Sequence, residues 1–367
     1  MDSTMNDKIP KILYLSRGRG FSHAMNDLLI LQELKKLNDS LSILLASYDK
    51  GYFYLCNLGI NVFNLGLSQE EELTMKAGIK IWSLIRRFKP DLVISDEVFI
   101  VLHITKALKI PSILITHWFF EYYNKNHPVI PAVRKADFVI FVDTPLFHTI
   151  PFGFNVPLTF VGPIIREFKY SLKDKRKVRE ELGIDNEAKV IFVTPGGRAR
   201  DRKKMLNVSI EAFKDIKEKN KKLILLTGEL YQEYLKGIGK DPEIIVKDYD
   251  WEIDRLMVAS DLAICSGSFS TTWELAYLGI PSISIPDIKN PIDQIHVNRM
   301  SKYGLTIRID PRDLNKNAFL KAMKEALGSL EERRKIIKKE VPKLFIDGFG
   351  QKGAAEEINY FIRRFVK

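Results

Sequence analysis

Position 23 is the first place along this 367-residue chain where chemistry is expected. The segment Gly18-Arg19-Gly20-Phe21-Ser22-His23 follows an apolar run at 11–15 and precedes an amphipathic stretch at 24–37. A GxGxxG dinucleotide fingerprint would place a third glycine at 23, so that helix and strand could pack closely. Here a histidine stands instead. An imidazole at a helix N-terminus beyond a strand end faces the crevice where open α/β sheets bind ligands, and the helix dipole disfavours its protonated form. A neutral imidazole is what a general base needs near neutral pH. The bland reading, a cap on the turn, stays open beside it. Asp96 ends the run at 91–95, at the carboxyl edge of the same sheet. Its carboxylate suits the orienting of the far ring nitrogen and the stabilising of an imidazolium. It equally suits the N-cap of the next helix, and Glu97 is the neighbouring alternative. His23 and Asp96 are the candidate catalytic pair.

A second set lies between Val246 and Met300. The hydroxyl-rich turn 266–272 falls between a strand and a helix, where backbone N–H groups suit a pyrophosphate. Glu274 comes one helical turn later. A carboxylate repels phosphate, so a ribose diol is its natural partner. Asp293, Gln294 and Asn298 follow Pro286 and offer side chains to sugar hydroxyls.

Strands must hold these residues in place. Short apolar runs at 11–15, 42–46, 62–64, 91–95, 112–116 and 138–142 alternate with helical stretches at 24–37, 76–88 and 98–108. The alternation restarts beyond 175, with strands at 189–194, 222–227, 243–246, 262–265 and 282–285. Helices are expected between them at 203–217, 253–259 and 272–278. Two βαβ series predict two parallel sheets with helices on both faces. The break falls at 162–175, where Pro163 precedes a basic run. The expected domains are 1–165, 166–350 and a C-terminal helix, 351–367, packing back on the first domain.

Composition narrows the partners. Lys and Arg number 57 against 46 Asp and Glu, a net charge of +11. Basic clusters at 173–179, 198–204, 217–222, 333–339 and 363–367 read as solvated helix faces or as attraction for polyanions. No nucleic-acid-binding motif accompanies them, so nucleotide phosphates and anionic lipid headgroups fit better than DNA or RNA. Two cysteines in apolar surroundings, Cys56 and Cys265, imply no disulfide framework and a reducing compartment. Asp2 and Asp7 stand where a signal peptide would be basic. No apolar run approaches the roughly 20 residues that span a bilayer.

The segment 246–300 resembles the donor-binding signature of GT-B glycosyltransferases. It is similar to family 28, represented by the membrane-surface N-acetylglucosaminyltransferase that makes lipid II, and to UDP-glucuronosyl and plant UDP-glycosyltransferases. The residues that carry the likeness are Tyr249, Ser260-Asp261, 266–271, Glu274, Gly279-Ile280-Pro281, Asp293-Gln294 and Asn298. The loop ending in His23, the stretch 161–166 ending in Arg166, and Pro195-Gly196-Gly197-Arg198 extend it over most of the chain. The resemblance implies an α/β GT-B fold, two Rossmann-like doubly wound domains facing a central cleft. It places Tyr249 and Asp250 at the uracil, Ser268, Phe269, Ser270 and Thr271 at the pyrophosphate, and Glu274 at the ribose. Asp293 and Gln294 would meet the transferred sugar. Gly18, Gly20, Arg166, Gly196, Gly197 and Arg198 complete the donor set, Arg166 and Arg198 stabilising the leaving diphosphate. There are departures. Arg17 and Arg19 replace small residues in the first loop, Arg198 replaces a serine in the second, and Gly267 sits one residue off the usual glycine. Asp96 matches the His–Asp dyad of the plant-type enzymes better than family 28.

The expectation is an inverting, metal-independent transfer of a hexosyl or N-acetylhexosaminyl group from a UDP-sugar to an acceptor hydroxyl. His23 would act as base, oriented by Asp96. No cofactor and no metal are expected, for want of an Asp-x-Asp motif or a His/Cys cluster. One acceptor class is a polyprenyl-linked or other lipid-linked sugar, reached from the cytoplasm at an anionic membrane surface through Arg17, Arg19 and Arg134. The rivals are a UDP-sugar hydrolase or 2-epimerase on the same fold, and a non-catalytic partner subunit. The last would be expected to lack Glu274 and Asp293-Gln294.

Overall fold

A computed structural model describes residues 9–123, 129–196, 201–248, 250, 252–346 and 348–366. Gly197, Arg198 and Tyr249, all expected at the donor, lie outside the described residues. Internal contacts divide the chain into two units, Met1–Ile165 with Phe345–Lys367, and Arg166–Leu344.

The first unit runs β1 (Lys11–Leu15), α1 (Ser22–Leu37), β2 (Ser42–Ser47), α2 (Asp49–Asn57), β3 (Phe63–Asn64) and α3 (Met75–Phe88). It continues with β4 (Leu92–Asp96), α4 (Ile100–Leu108), β5 (Ser112–Thr116), α5 (Val129–Val133), β6 (Phe138–Phe141) and β7 (Leu158–Phe160). The sheet order is β3-β2-β1-β4-β5-β6-β7, every pairing parallel. Strand order therefore reverses between β1 and β4, whose ends are in register at Leu15 and Ser95. Chains leaving two neighbouring strands toward opposite sides open a crevice at their carboxyl ends, and that crevice is the ligand site of such sheets. Both β1 and β4 are buried nearly end to end, as central parallel strands covered on two faces must be.

Helix α1 carries an unusual stripe. Its buried positions are His23, Ala24, Asp27, Ile30 and Leu34, helical spacing with two polar residues at the N-terminal end. The C-terminal part of the stripe joins the apolar core with Ile12, Ile94 and Ile113.

The second unit runs α6 (Lys175–Glu181), β8 (Lys189–Thr194), α7 (Arg202–Lys214), β9 (Lys221–Leu226), α8 (Tyr231–Ile238), β10 (Ile244–Lys247) and α9 (Ile253–Ala259). Then come β11 (Leu262–Cys265), α10 (Phe269–Tyr277), β12 (Ser282–Ser284), α11 (Pro291–Lys302), β13 (Ile307–Arg308), α12 (Lys316–Gly328) and α13 (Leu330–Leu344). Its sheet, β10-β9-β8-β11-β12-β13, is again parallel and reverses between β8 and β11. Helix α14 (Gly350–Phe365) belongs to the first unit, where Ala354, Ala355, Ile358 and Ile362 join the core beside α1. The return to that unit starts at Phe345, before the expected residue 351, and Gly350 donates its N–H to the Pro163 carbonyl.

Two sequence expectations shift in consequence. Helix α10 begins at Phe269, three residues before the expected 272, so Ser270 and Thr271 are helical rather than part of a turn. Helices α11, α12 and α13 form beyond the last helix expected in the second domain.

Candidate active site

In the first unit His23 and Asp96 meet at the point where strand order reverses. His23 Nδ1 lies 2.6 Å from Asp96 Oδ2, both groups buried. A carboxylate accepting at Nδ1 fixes the tautomer, leaves Nε2 as the basic nitrogen and stabilises the imidazolium that a transferred proton creates. Asp96 is therefore no helix cap; α4 starts behind Phe99 with no side-chain cap, and the Ser95 hydroxyl accepts from the Val98 N–H in the turn between.

Glu97 builds a second layer that the sequence only hinted at. It is fully buried and held at φ +52°, a left-handed conformation that costs a residue with a side chain about 1–2 kcal/mol. Its partners explain why the conformation persists. Oε2 accepts from Arg17 Nη1 at 2.6 Å, and Oε1 accepts from the Thr116 hydroxyl at 2.9 Å and the His117 N–H at 3.2 Å. His117 Nδ1 also lies 3.2 Å from Oε1, and His23 Nε2 lies 3.9 Å from Oε2. Burial pushes the Glu97 carboxyl up. His117, Arg17 and His23 outweigh burial and hold its pKa at about 2. An ionised carboxylate thus stands near Nε2, where positive charge would develop.

Arg17 is the corner of this network. It binds Glu72 through both Nε and Nη2, at 3.1 and 2.5 Å, while Tyr48 donates to the same carboxylate at 2.8 Å and Trp118 lies against the guanidinium. The expectation that Arg17 meets headgroups is overturned: only 4% of it is exposed. Gly18 has a packing reason of its own, since a Cβ there would collide with the Tyr48 carbonyl. Gly20 turns the chain toward α1 at φ +80°. Neither glycine needs a donor phosphate to account for it.

The sequence showed no metal-holding cluster, yet His23, Glu97 and His117 bring three ligand-type atoms within 4.8 Å of one another. Arg17 on Glu97 and Asp96 on His23 already satisfy these groups, and a guanidinium 2.6 Å from the carboxylate repels a cation. The three therefore act as a charge network. His117 follows β5 at the carboxyl edge of the sheet, which is the signal that could have found it.

In the second unit the turn after β11 passes Ser266 and Gly267 to Ser268, the N-cap of α10. Gly267 has φ +69°, and a Cβ there would meet Val297 Cγ2 at 2.5 Å and Pro286 Cα at 3.3 Å. Gly196 closes on Ser266 from the neighbouring strand end, where a Cβ would meet Oγ at 2.8 Å. The first N–H groups of α10, at Phe269, Ser270 and Thr271, lack helical partners by construction, an arrangement that suits an anion. The Ser268 and Thr271 hydroxyls bond at 2.9 Å, while the Phe269 ring packs on His296 with centroids 4.6 Å apart.

Glu274 is buried one turn along. Its Oε1 accepts from Arg166 Nε at 2.6 Å, and its Oε2 is buried without a hydrogen bond. Burial raises its pKa, with Arg166 opposing. An orphaned buried carboxylate oxygen near a helix start is an acceptor suited to a donor such as a hydroxyl. Arg166 and Glu274, expected to act on different parts of the donor, are thus joined.

Two other expected donor contacts are already engaged. Asp250 Oδ2 accepts from Arg255 Nη2 at 2.8 Å and Nε at 3.1 Å, and Oδ1 accepts from the Glu252 N–H. Gln294 donates to the Pro286 and Asp287 carbonyls and accepts from Arg308 Nη2 at 2.9 Å. Asp293 lies half-buried in the first turn of α11.

The family model of the glycosyltransferase family 28 C-terminal domain matches residues 190–342. The chain is 25% identical over 280 residues to an uncharacterized glycosyltransferase of Methanopyrus kandleri, across 74% of this chain and 76% of that one. It is 23% identical over 354 residues to a Bacillus pumilus enzyme, across 87% of this chain and 91% of that one. That enzyme is a UDP-N-acetylglucosamine--N-acetylmuramyl-(pentapeptide) pyrophosphoryl-undecaprenol N-acetylglucosamine transferase. The chain is a GT-B glycosyltransferase. Among solved structures, this glycosyltransferase resembles Acinetobacter baumannii MurG with a TM-score of 0.66 at 13% identity, over 97% of this chain and 99% of that one. A Neisseria meningitidis UDP-GlcNAc 2-epimerase is similar at a TM-score of 0.64 and 15% identity, over 96% and 100%. Likeness at that identity speaks for the glycosyltransferase's fold alone; its class rests on the family match and the sequence relatives.

Proposed function

We propose that this glycosyltransferase takes a hexosyl or N-acetylhexosaminyl group from a UDP-sugar and transfers it, with inversion and without a metal, to an acceptor hydroxyl. The observation that carries the reading is the buried pair of His23 and Asp96, 2.6 Å apart at the carboxyl ends of β1 and β4. His23 Nε2 takes the proton of the acceptor hydroxyl, and Asp96 steadies the imidazolium. The acceptor oxygen forms a bond to the anomeric carbon while the bond from that carbon to the departing diphosphate breaks. The N–H groups that open α10 and the Arg166 guanidinium offset the leaving charge. The orphaned Oε2 of Glu274 accepts from the ribose diol.

The test is product analysis with a panel of nucleotide sugars, with and without acceptor and in the presence of EDTA. Glycosylated acceptor plus UDP in EDTA supports the reading. Free sugar alone, an epimerised donor or a strict need for manganese overturns it. Glu274→Gln is expected to weaken UDP binding about tenfold or more, the value of a lost hydrogen bond to a charged group, without lowering thermal stability. Calorimetry reads both proteins; absence of UDP binding to the wild type at millimolar nucleotide ends the donor assignment.

The acceptor we propose is a lipid-linked sugar, the kind of acceptor that the name of the Bacillus pumilus relative gives for that enzyme, and the place we propose for the reaction is an anionic membrane surface. No helix among the described residues is long and apolar enough to cross a membrane. A surface element supports the reading instead. Helix α3 buries Ala77, Ile81, Leu84 and Ile85, and exposes Met75, Ile79 and Trp82 at i, i+4 and i+7. Lys76, Arg86 and Arg87 flank that stripe, exposed. An amphipathic helix with aromatic and basic residues on its outer side suits the headgroup boundary. The Arg134 side chain is exposed, and so is that of Arg19, which lies 4.0 Å from Glu72. Ile79→Ser with Trp82→Ser is expected to abolish co-sedimentation with anionic vesicles while leaving UDP binding intact. Binding by the wild type should fall as salt rises. Equal sedimentation of the double variant would remove α3 from the membrane reading.

A further inference from the structure

Four groups form a buried line through the first unit: Tyr14, Asp27, Asp96 and His23. Tyr14, on β1, donates its hydroxyl to Asp27 Oδ1 at 2.7 Å. Asp27 lies one helical turn beyond His23 on α1 and is 1% exposed. Its other oxygen, Oδ2, is buried and receives no hydrogen bond. Asp96 holds His23 one helical turn from Asp27 on the same buried face, close enough for its charge to act on the Asp27 carboxyl. Two ionised carboxylates cannot sit that close in a dry interior, so one of them keeps a proton. Burial, first, and the Glu97 charge push the Asp96 carboxyl up as well, with Arg17 opposing. But Asp96 also accepts the ring N–H of His23, which favours its charge, whereas Asp27 has only the Tyr14 hydroxyl and the nearby Ser16 side chain.

We infer that Asp27 is a protonated carboxylic acid that donates its hydrogen bond to Asp96, and so acts as the positioning residue behind the His23–Asp96 pair. A proton on Oδ2 turns the orphaned acceptor into a donor and removes the repulsion between the two acids. Asp96 then stays ionised and fixed, with its other partner the imidazole. Burial, first, and the Asp96 charge, second, raise the Asp27 pKa well above the usual carboxylate range, in keeping with that state. The groups facing Asp27 are Tyr14 and Ser16 from β1 and its end, His23 from α1 itself and Asp96 from β4. Beyond Asp96 stand Glu97 and Arg17. Helices α2 and α14, packed on α1, bring no charged residue among their buried positions.

The kinetic part of the test rests on the proposed transfer reaction; the spectroscopic part does not. Asparagine is the neutral isostere of a protonated aspartic acid, with a donor for Asp96 and an acceptor for Tyr14. Asp27→Asn is therefore expected to keep kcat within about twofold of wild type and to leave the acid limb of the pH profile of kcat/KM where it is. Asp27→Ala is expected to lower kcat roughly tenfold, part of the roughly 100- to 10,000-fold that general-base catalysis supplies, with the donor KM unchanged. Were Asp27 ionised, asparagine would delete a negative charge beside His23, lower the imidazole pKa and move the acid limb to lower pH. Infrared difference spectra at about pH 8 decide the protonation directly, since ordinary carboxyls are ionised there. The C=O stretch of a protonated carboxylic acid should be present in the wild type and missing from Asp27→Asn. Survival of that band, or an acid limb moved to lower pH in Asp27→Asn, overturns the inference. If no transfer is found at all, the infrared result still stands or falls alone.

Discussion

His23→Ala is expected to lower turnover about 100-fold or more while UDP affinity stays within a factor of two. The size follows from what a positioned base supplies to proton transfer. The separation of rate from affinity follows from where the residue sits. His23 is bonded to Asp96 in the first unit, whereas the expected nucleotide contacts lie in the second. A base that acts only as the acceptor oxygen attacks lowers kcat without touching donor binding. Asp96→Asn should act in the same direction and less, because the amide can still hold the ring but no longer stabilises its positive form. Steady-state rates with calorimetry on the same samples separate the two quantities. Near-wild-type turnover in His23→Ala would remove the imidazole from the reaction.

Arg17→Met is expected to destabilise the protein by about 3–5 kcal/mol, the cost of breaking a buried ion pair from one side. The guanidinium compensates two buried carboxylates at once, Glu72 and Glu97, and nothing in methionine replaces it. The triple variant Arg17→Met with Glu72→Gln and Glu97→Gln should recover much of that loss, since no charge is then left stranded. Denaturant unfolding compares the two variants; equal stabilities would mean the charges are solvated and the network is incidental. The pH dependence has a definite sign. The Glu97 pKa is about 2 when folded, against about 4.3 for a free glutamate. Its stabilisation is therefore complete above the unfolded value and is lost as pH falls from about 4 toward 2. The part of acid unfolding due to Glu97 should fall in that window in the wild type and be missing from the triple variant.

Much of the site is legible in the order of residues along the chain. A histidine in place of the third glycine, and an acid ending the fourth strand, identify the His23–Asp96 pair, because in a parallel sheet both strand ends must open on one edge. The two βαβ series and their break follow equally from runs of apolar residues with regular turns between them, whereas the donor signature around Glu274 is what the resemblance to GT-B glycosyltransferases implies. Local pattern fixes such things because strand direction and helix face are local properties.

What pattern could not decide was which charges meet. Arg17 and Arg19 look alike in sequence, yet one is sealed between Glu72 and Glu97 and the other is exposed, since burial depends on residues 55 and 80 positions away. Glu97 looks like a spare for Asp96; the left-handed turn at the end of β4 sends it instead to Arg17 and His117. Gln294 and Asp250 read as ligand contacts, but Arg308 and Arg255 hold them. Asp27 left one local trace, an acid in the buried stripe of α1 at i+4 from His23. Sequence by itself determined the strands and the crevice edges and offered His23 with Asp96 as a candidate pair; the 2.6 Å contact came from the structure. Only the tertiary structure decided which buried charges are paired, because pairing sets the dielectric and the partner of each group, and both come from distant parts of the chain.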